Sequence, residues 1–319
     1  MPQSNKIYIV TGGAGFIGSH LADSLVNNAH NVVIIDDLSS GYENNISADL
    51  SDSLIKKQVQ EVEDQDINSV QGIFHLAAQA SVPYSISNYF ESSKNNILSS
   101  LKVFKWAKDQ NIPVVYASSS AIYGNLPLGD DTQVKYDIVS PYAQDKLTLE
   151  HYATMMHDVY KVNSIGLRFF NVYGPRQDPT NPYSGVISIF IDNILKGNSV
   201  NINGGFQTRD FIYVQDVVNV MVKSMELLHE KNICENFNVG TGQSVTIDEL
   251  FSLTKSILNV DPEVIRKNLP YGDPERSAGT YTKIKEILGV DISLFSDLRS
   301  GLIKTIEYFS GKNIAESIK

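Results

Sequence analysis

Tyr142 and Lys146 stand four residues apart in the run Tyr-Ala-Gln-Asp-Lys. On a helix that spacing puts both side chains on one face, with Cβ atoms about 6 Å apart. An ammonium beside a phenol favours the phenolate, so the pair can act as a general base although an ordinary tyrosine ionises only near about pH 10. Such pairs are common by chance, so their surroundings decide the reading. Pro141 suits a helix start immediately before Tyr142. Upstream, the apolar run Val114-Val115-Tyr116-Ala117 leads into Ser118-Ser119-Ser120. A hydroxyl at the end of such a strand can hydrogen-bond a reacting oxygen, although serines after strands are also ordinary turn residues.

A second group of residues suits a phosphate-bearing ligand. Gly12, Gly15 and Gly18 fall in Gly-Gly-Ala-Gly-Phe-Ile-Gly, directly between a strand-like and a helix-like segment. Glycines in that context permit a tight turn, close approach of the backbone to a pyrophosphate, and close packing of helix on strand. The helix N-terminus then turns its N–H groups toward the phosphates. Asp36 ends the next strand, eighteen residues after Gly18, where a carboxylate can accept hydrogen bonds from an adenosine ribose. A carboxylate there repels a 2′-phosphate, and residues 37–41 contain no Arg or Lys. The expected cofactor is therefore NAD rather than NADP.

These residues need a scaffold, and the hydrophobic pattern supplies one. Residues 6–11, 31–35, 72–77, 112–117 and 163–169 read as short buried strands. Residues 19–28, 89–110 and 141–161 read as helices between them. Strands alternating with helices imply a parallel sheet covered on both faces. Residues 44–70 are polar and poorly periodic, and no element is assigned there. Residues 171–185 are rich in Pro, Asn, Gly and Tyr and read as a long loop. Beyond it, residues 186–196, 214–229, 246–259 and 298–309 read as helices of a smaller mixed domain. At ~100–200 residues per domain, 319 residues suggest two domains. The expected division is a dinucleotide-binding domain over 1–171, rejoined by about 210–240, and a substrate-binding domain over 172–319.

Composition narrows the function. Hydrophobic residues make up 42% and charged residues 19%, which suits a packed core. With 26 basic and 36 acidic side chains the net charge is −10, and no basic run suggests nucleic-acid binding. The single cysteine, Cys234, excludes an intrachain disulfide and fits a reducing compartment. The six histidines are scattered without metal-ligand spacing, so no metal is expected. No apolar run is long enough to span a membrane, and the polar start Met1-Pro2-Gln3-Ser4 leads straight into a strand. The expectation is a soluble cytoplasmic protein without nucleic-acid or membrane partners.

Taken together, the motifs resemble the extended short-chain dehydrogenase/reductases, and within them the nucleotide-sugar 4-epimerases related to UDP-galactose 4-epimerase. The resemblance spans about residues 6–310. It is carried by residues 11–18, Asp36, Asp49-Leu50, His75-Leu-Ala-Ala-Gln79, Asn95, residues 118–124, Tyr142/Lys146 and Arg168-Phe-Phe-Asn-Val-Tyr-Gly-Pro175. Thr208-Arg-Asp-Phe-Ile-Tyr-Val214 and Gly272-Asp273 continue it in order. It implies a Rossmann-type doubly wound parallel sheet with a smaller mixed α/β substrate-binding domain. It also implies a homodimer made through the helices 89–110 and 141–161.

The resemblance further implies roles. Tyr142 is the base, Lys146 its partner on the nicotinamide ribose, and Ser120 the hydroxyl assisting proton transfer. Around NAD it places Gly12, Gly15, Phe16, Ile17, Gly18, Asp36, Asp37, Asp49, Leu50, Leu76, Ala77, Ala78, Gln79, Ala80, Asn95, Ser118 and Phe170. Around a UDP-sugar it places Ser81, Ser120, Tyr142, Asn171, Val186, Asn203, Arg209, Asp273, Arg276 and Ser277.

The implied reaction is transient oxidation at C4 with return of the hydride to the opposite face. Related dehydratases and decarboxylases carry a carboxylate beside the catalytic hydroxyl, whereas this chain has Ala121-Ile122. The small Ser277 and the loop Gly174-Pro-Arg-Gln-Asp-Pro179 resemble the branch acting on UDP-N-acetylhexosamines. UDP-glucose, UDP-hexuronates and a 4-keto-sugar reductase remain open as alternatives. From another class, a dinucleotide-sensing scaffold would have no need of the Tyr142/Lys146 base. A role in polysaccharide precursor supply follows from the substrate class.

Overall fold

The computed structural model describes residues 5–67, 69–181, 185–269 and 273–312. Gly272, part of the predicted substrate segment, lies outside the described residues, as do residues 1–4 and loop residues 182–184. In chain order the first elements are β1 (Ile7–Thr11), α1 (Phe16–Asn27), β2 (Asn31–Ile35), β3 (Leu54–Ile55), β4 (Gly72–His75), α2 (Val82–Ser87), α3 (Tyr89–Gln110) and β5 (Val114–Ser119). Next come α4 (Pro141–Tyr160), β6 (Ser164–Phe169), β7 (Asn171–Tyr173), α5 (Val186–Leu195), β8 (Val200–Asn203), β9 (Thr208–Tyr213) and α6 (Val214–Glu230). The chain closes with β10 (Cys234–Val239), β11 (Ser244–Thr246), α7 (Ile247–Leu258), β12 (Val264–Lys267), α8 (Thr282–Leu288) and α9 (Leu298–Ser310).

Seven strands form one sheet in the order β10-β6-β5-β4-β1-β2-β3. The pairs β1–β2, β1–β4, β2–β3 and β4–β5 are all parallel. This is a Rossmann-type doubly wound order, and it reverses direction between β1 and β4. The strands are apolar because both faces are covered: Ile9, Val10, Ile34, Ile35, Ile73, Phe74, Val114 and Val115 are buried. Ligands of such sheets bind beyond the strand C-termini at the reversal, where Thr11 and His75 end their strands side by side.

By internal packing the chain forms two units. The first comprises residues 1–122, 140–168 and 218–237, and the second 123–139, 169–217 and 238–319. Residues 123–139 and 169–171, expected in the first domain, fall in the second unit. Residues 123–139 join the second unit because Gly129 exchanges backbone hydrogen bonds with Ala278 and Thr280, each 2.9 Å, and Tyr123 donates to Asn238 Oδ1 at 2.8 Å. Residues 218–237 return to the first unit, where Met225 lies against Gly72.

The second unit holds two small sheets. One, in the order β11-β9-β7, pairs β7 with β9 in parallel and β9 with β11 antiparallel. The other pairs β8 with β12 in parallel. Residues 171–173, expected as loop, are strand β7, and α8 and the short helix α2 were also unanticipated. Residues 43–67 form only short 3-10 turns and β3. Val59, Val62, Ile67 and Val70 are nonetheless buried in the core beside Trp106. No described helix is long and apolar enough to cross a membrane.

Candidate active site

The glycine turn joins β1 to α1 at the sheet's reversal point. Gly12 has φ +72°, and a Cβ there would lie 2.7 Å from the Ala77 backbone nitrogen. A Cβ on Gly18 would collide with the Gly12 carbonyl oxygen, so α1 can approach the turn only without a side chain. Gly15 is the N-cap of α1 and has no side-chain cap, and no acidic residue occupies the first turn. The first-turn N–H groups thus meet no capping side chain, which suits an anion. Phe16 and Ile17 are half-buried on that first turn. Beside it, Asp36 is buried and accepts from the Ala14 and Leu38 backbone N–H groups, both at 2.9 Å. Burial raises its pKa, opposed by the Leu38 and Ala14 hydrogen bonds. Asp37 is exposed and caps Ser39 N at 2.9 Å. Leu50 is buried and Asp49 exposed on the following 3-10 turn.

Leu76, Ala77, Ala78 and Gln79 leave β4 half-buried, and Ala80 is exposed. Thr11 Oγ1 accepts from both the Leu76 and Ala77 N–H groups at 3.2 Å, so its own hydrogen turns to His75 Nδ1 at 2.8 Å. His75 Nε2–H then donates to Ser100 Oγ at 3.1 Å, and Ser100 to the Asn96 carbonyl at 2.6 Å. Burial lowers the His75 pKa to about 3, so the ring is neutral. Asn96 clasps the same segment: its Oδ1 accepts from Gln79 N at 2.8 Å and its Nδ2 donates to Gln79 O at 3.2 Å. Asn95, expected here, is half-buried on a different side of α3 and makes none of these bonds.

Tyr142 is placed by the start of α4. Ser140 caps Ala143 N at 3.2 Å, Pro141 occupies the first turn, and Tyr142 N donates to Ser85 Oγ on α2 at 3.2 Å. The Lys146 Nζ lies 5.6 Å from the Tyr142 ring centroid and donates to the Ala117 carbonyl at 2.7 Å. Both side chains are buried. The hydroxyl that hydrogen-bonds Tyr142 belongs to Ser119, not to the expected Ser120. The strand β5 ends at Ser119 and a 3-10 turn starts at Ser120, which stays half-buried. Ser118 donates instead to Glu150 Oε1 at 2.5 Å. Glu150 in turn receives Arg168 Nε at 2.8 Å and Nη2 at 2.7 Å, a bidentate pair buried beneath the serines.

Burial raises the Tyr142 pKa, the Ser119 hydrogen bond lowers it and Asp145 raises it again. Burial lowers Lys146 to about 8, while Asp145 works in the opposite sense. Burial, the largest influence on the phenol, acts against the lowering expected from the Lys146 ammonium.

The second unit gathers a different set. On adjacent strands β7 and β9, Asn171 lies opposite Phe211, and its Nδ2 donates to the Asp210 carbonyl at 3.1 Å. Arg209 pairs with Asp273 and donates to the Pro274 carbonyl at 2.8 Å. Ser277 N donates to the Thr208 carbonyl at 3.1 Å, and Ser277 is half-buried. Arg276 is exposed. Phe170 is buried edge-on to Tyr281, with centroids 5.7 Å apart. Val186 opens α5, and Asn203 is exposed at the end of β8. Ser81 in the first unit caps α2 through Tyr84 N at 3.1 Å.

A family model for the NAD dependent epimerase/dehydratase family matches residues 8–240. The chain belongs to the NAD-dependent epimerase/dehydratase family. A relative named UDP-glucose 4-epimerase from Mycolicibacterium smegmatis is 34% identical over 318 residues, covering 96% of this chain and 99% of that protein. A UDP-N-acetylglucosamine 4-epimerase from Methanobrevibacter ruminantium, solved with UDP-N-acetylmuramic acid, is 36% identical with a TM-score of 0.87. That comparison covers 96% of this chain and 99% of the other. A UDP-glucose 4-epimerase from Thermotoga maritima, solved with UDP-glucose, is 34% identical with a TM-score of 0.87, covering 98% and 100%.

The dinucleotide that the family name implies fits the residues present: the side-chain-free turn at Gly12, the uncapped first turn of α1, and a buried carboxylate at the end of β2. Ser119, which hydrogen-bonds Tyr142, and Asn96, which clasps Gln79, were not singled out in the sequence; each lies one position from a residue that was. For Asn96 a signal existed. Ser92, Asn96, Ser99, Ser100, Val103 and Ala107 recur at helical spacing and form the buried stripe of α3, which excludes Asn95.

Proposed function

We propose that this protein is a UDP-sugar 4-epimerase, interconverting UDP-N-acetylglucosamine and UDP-N-acetylgalactosamine with NAD kept bound. The observation that carries the reading is the buried Tyr142, hydrogen-bonded to Ser119 and lying beside the Lys146 ammonium. Gly12, Gly15, Gly18, Asp36, Leu76–Gln79, Asn96 and Lys146 would hold the cofactor. Bound NAD supplies a hydride acceptor for C4 and a positive ring that favours the phenolate. Tyr142 takes the C4 hydroxyl proton and returns it after the sugar has turned over. Ser119 holds the C4 oxygen and phenol in line, and Lys146 stabilises the phenolate once it forms. Residues 120–122, which include the Ala121-Ile122 pair, offer no carboxylate to expel a hydroxyl group, which favours simple epimerisation over dehydration.

Arg209, fixed by Asp273 and the Pro274 carbonyl, is assigned to the diphosphate, and Asn171 to the substrate beside it. The small side chain of Ser277 and the 36% identical UDP-N-acetylglucosamine 4-epimerase support an N-acetylated sugar. A homodimer is part of the proposal. α3 exposes Tyr89, Phe90, Leu98 and Leu101, and its neighbour α4 exposes Tyr152, Met155, Val159 and Tyr160, an apolar surface suited to a second copy. Its place is the cytoplasmic supply of polysaccharide precursors.

The Tyr142→Phe variant tests the assignment. It should lose turnover of UDP-N-acetylglucosamine by about 10²–10⁴-fold while the purified protein keeps its NAD. Turnover at the unmodified rate would overturn it.

A further inference from the structure

Asp145 sits between Tyr142 and Lys146 in sequence and is 5% exposed. An unpaired carboxylate buried that deeply is costly, yet this one has defined partners. Asn96 Nδ2 donates to its Oδ2 at 3.0 Å, and the Ser93 hydroxyl also hydrogen-bonds it. Asn96 is the residue that clasps both backbone groups of Gln79. Through Ser100 and His75 the same network reaches Thr11, at the mouth of the glycine turn. One carboxylate therefore ties the helix bearing the proposed base to the segments proposed to hold the dinucleotide.

Building on the epimerase reading, we propose that Asp145 is a positioning residue of the reaction. Its carboxylate, held across α3 by Asn96 and Ser93, fixes the face of α4 that carries Tyr142 and Lys146 and sets the pH range in which that pair works. The groups facing it are few. From its own helix Tyr142 and Lys146 feel its charge, and Lys146 acts back on it. From α3 it meets Ser93 and Asn96, neither of which titrates near neutral pH. His75, further along the network, is held neutral by burial. Burial raises Asp145's own pKa, and the bonds from Ser93 and Asn96 and the charge of Lys146 oppose that rise.

The direction of the effect follows from charge. A fixed negative charge raises the pKa of both the phenol and the ammonium, so removing it lowers both. The working form of the pair needs an ionised Tyr142 and a charged Lys146, so its two pKa values bound the kcat–pH profile. Both limbs of the kcat–pH profile should therefore move to lower pH when Asp145 is neutralised. Buried groups that feel one another's charge can shift each other on the order of one pH unit.

The test uses Asp145→Asn, which keeps an acceptor for Asn96, and Asp145→Ser, which is smaller. The expected result is two folded proteins with retained NAD and the same downward movement of both limbs, since they share the lost charge and differ in packing. Unmoved limbs in either folded variant would overturn the proposal. So would failure of both to fold, because the carboxylate would then be needed for structure alone. Tyr142→Phe is measured alongside. Turnover surviving in that variant would sink the epimerase reading itself, whereas an unmoved profile beside an inactive Tyr142→Phe sinks only the role of Asp145.

Discussion

Three consecutive hydroxyls, Ser118 to Ser120, meet three different environments. Ser118 is committed to Glu150, Ser119 to Tyr142, and Ser120 begins the next turn half-buried. Ser119→Ala should therefore cost turnover by about 10²-fold or more, and Ser120→Ala less than tenfold, in steady-state rates with UDP-N-acetylglucosamine. The reverse ranking would restore Ser120 to the role read from sequence. Beneath them, Arg168 and Glu150 form a bidentate ion pair out of contact with water. Such a pair adds little net stability, but removing one partner strands the other charge. Arg168→Met should lower the unfolding free energy by about 3–5 kcal/mol in urea titration. A change under about 1 kcal/mol would show that Glu150 needs no counter-charge.

At the scale of elements, much of the first unit was legible. Strands buried on both faces read as continuous apolar runs, and α3 ends at Gln110, followed by Asn111 with φ 53°. Residues 43–67 were not legible because 3-10 turns and a two-residue strand leave no sustained period. Asp64 there is held by long-range bonds, including one from Trp106 Nε1 at 2.8 Å. The choice among three serines was not legible either, since composition does not say where a strand ends and a turn begins. His75 shows what the strand ends contribute energetically. Its folded pKa is lowered to about 3 from 6.5. Below about pH 6 protons therefore bind the unfolded chain but not the folded one, and stability falls as pH falls. Relative to His75→Gln, the unmodified protein should lose about 1.4 kcal/mol more per pH unit between about pH 6 and pH 4. Parallel stability curves for the two proteins would show that His75 does not stay neutral.

For the molecule as a whole, two features lie beyond local pattern. Residues 123–139 pack in the second unit through Gly129 and Asn238, contacts more than a hundred residues apart in sequence. No local periodicity reports such contacts. The exposed apolar face of α3 and α4 is the other. An amphipathic reading of either helix finds the stripe facing the sheet but gives no reason for a second one. If that face joins two copies, Leu98→Glu combined with Val159→Glu should convert a dimer to a monomer in sedimentation equilibrium. A wild-type protein that sediments as a monomer at micromolar concentration would refute the dimer.

The chemistry is tested most directly by incubating the purified protein, without added cofactor, with UDP-N-acetylglucosamine and UDP-glucose in parallel and separating the products. The proposed function predicts that the N-acetylated sugar converts to its C4 epimer with no net consumption of nicotinamide cofactor. Absence of any C4 epimer from either sugar, even with NAD supplied, would contradict it.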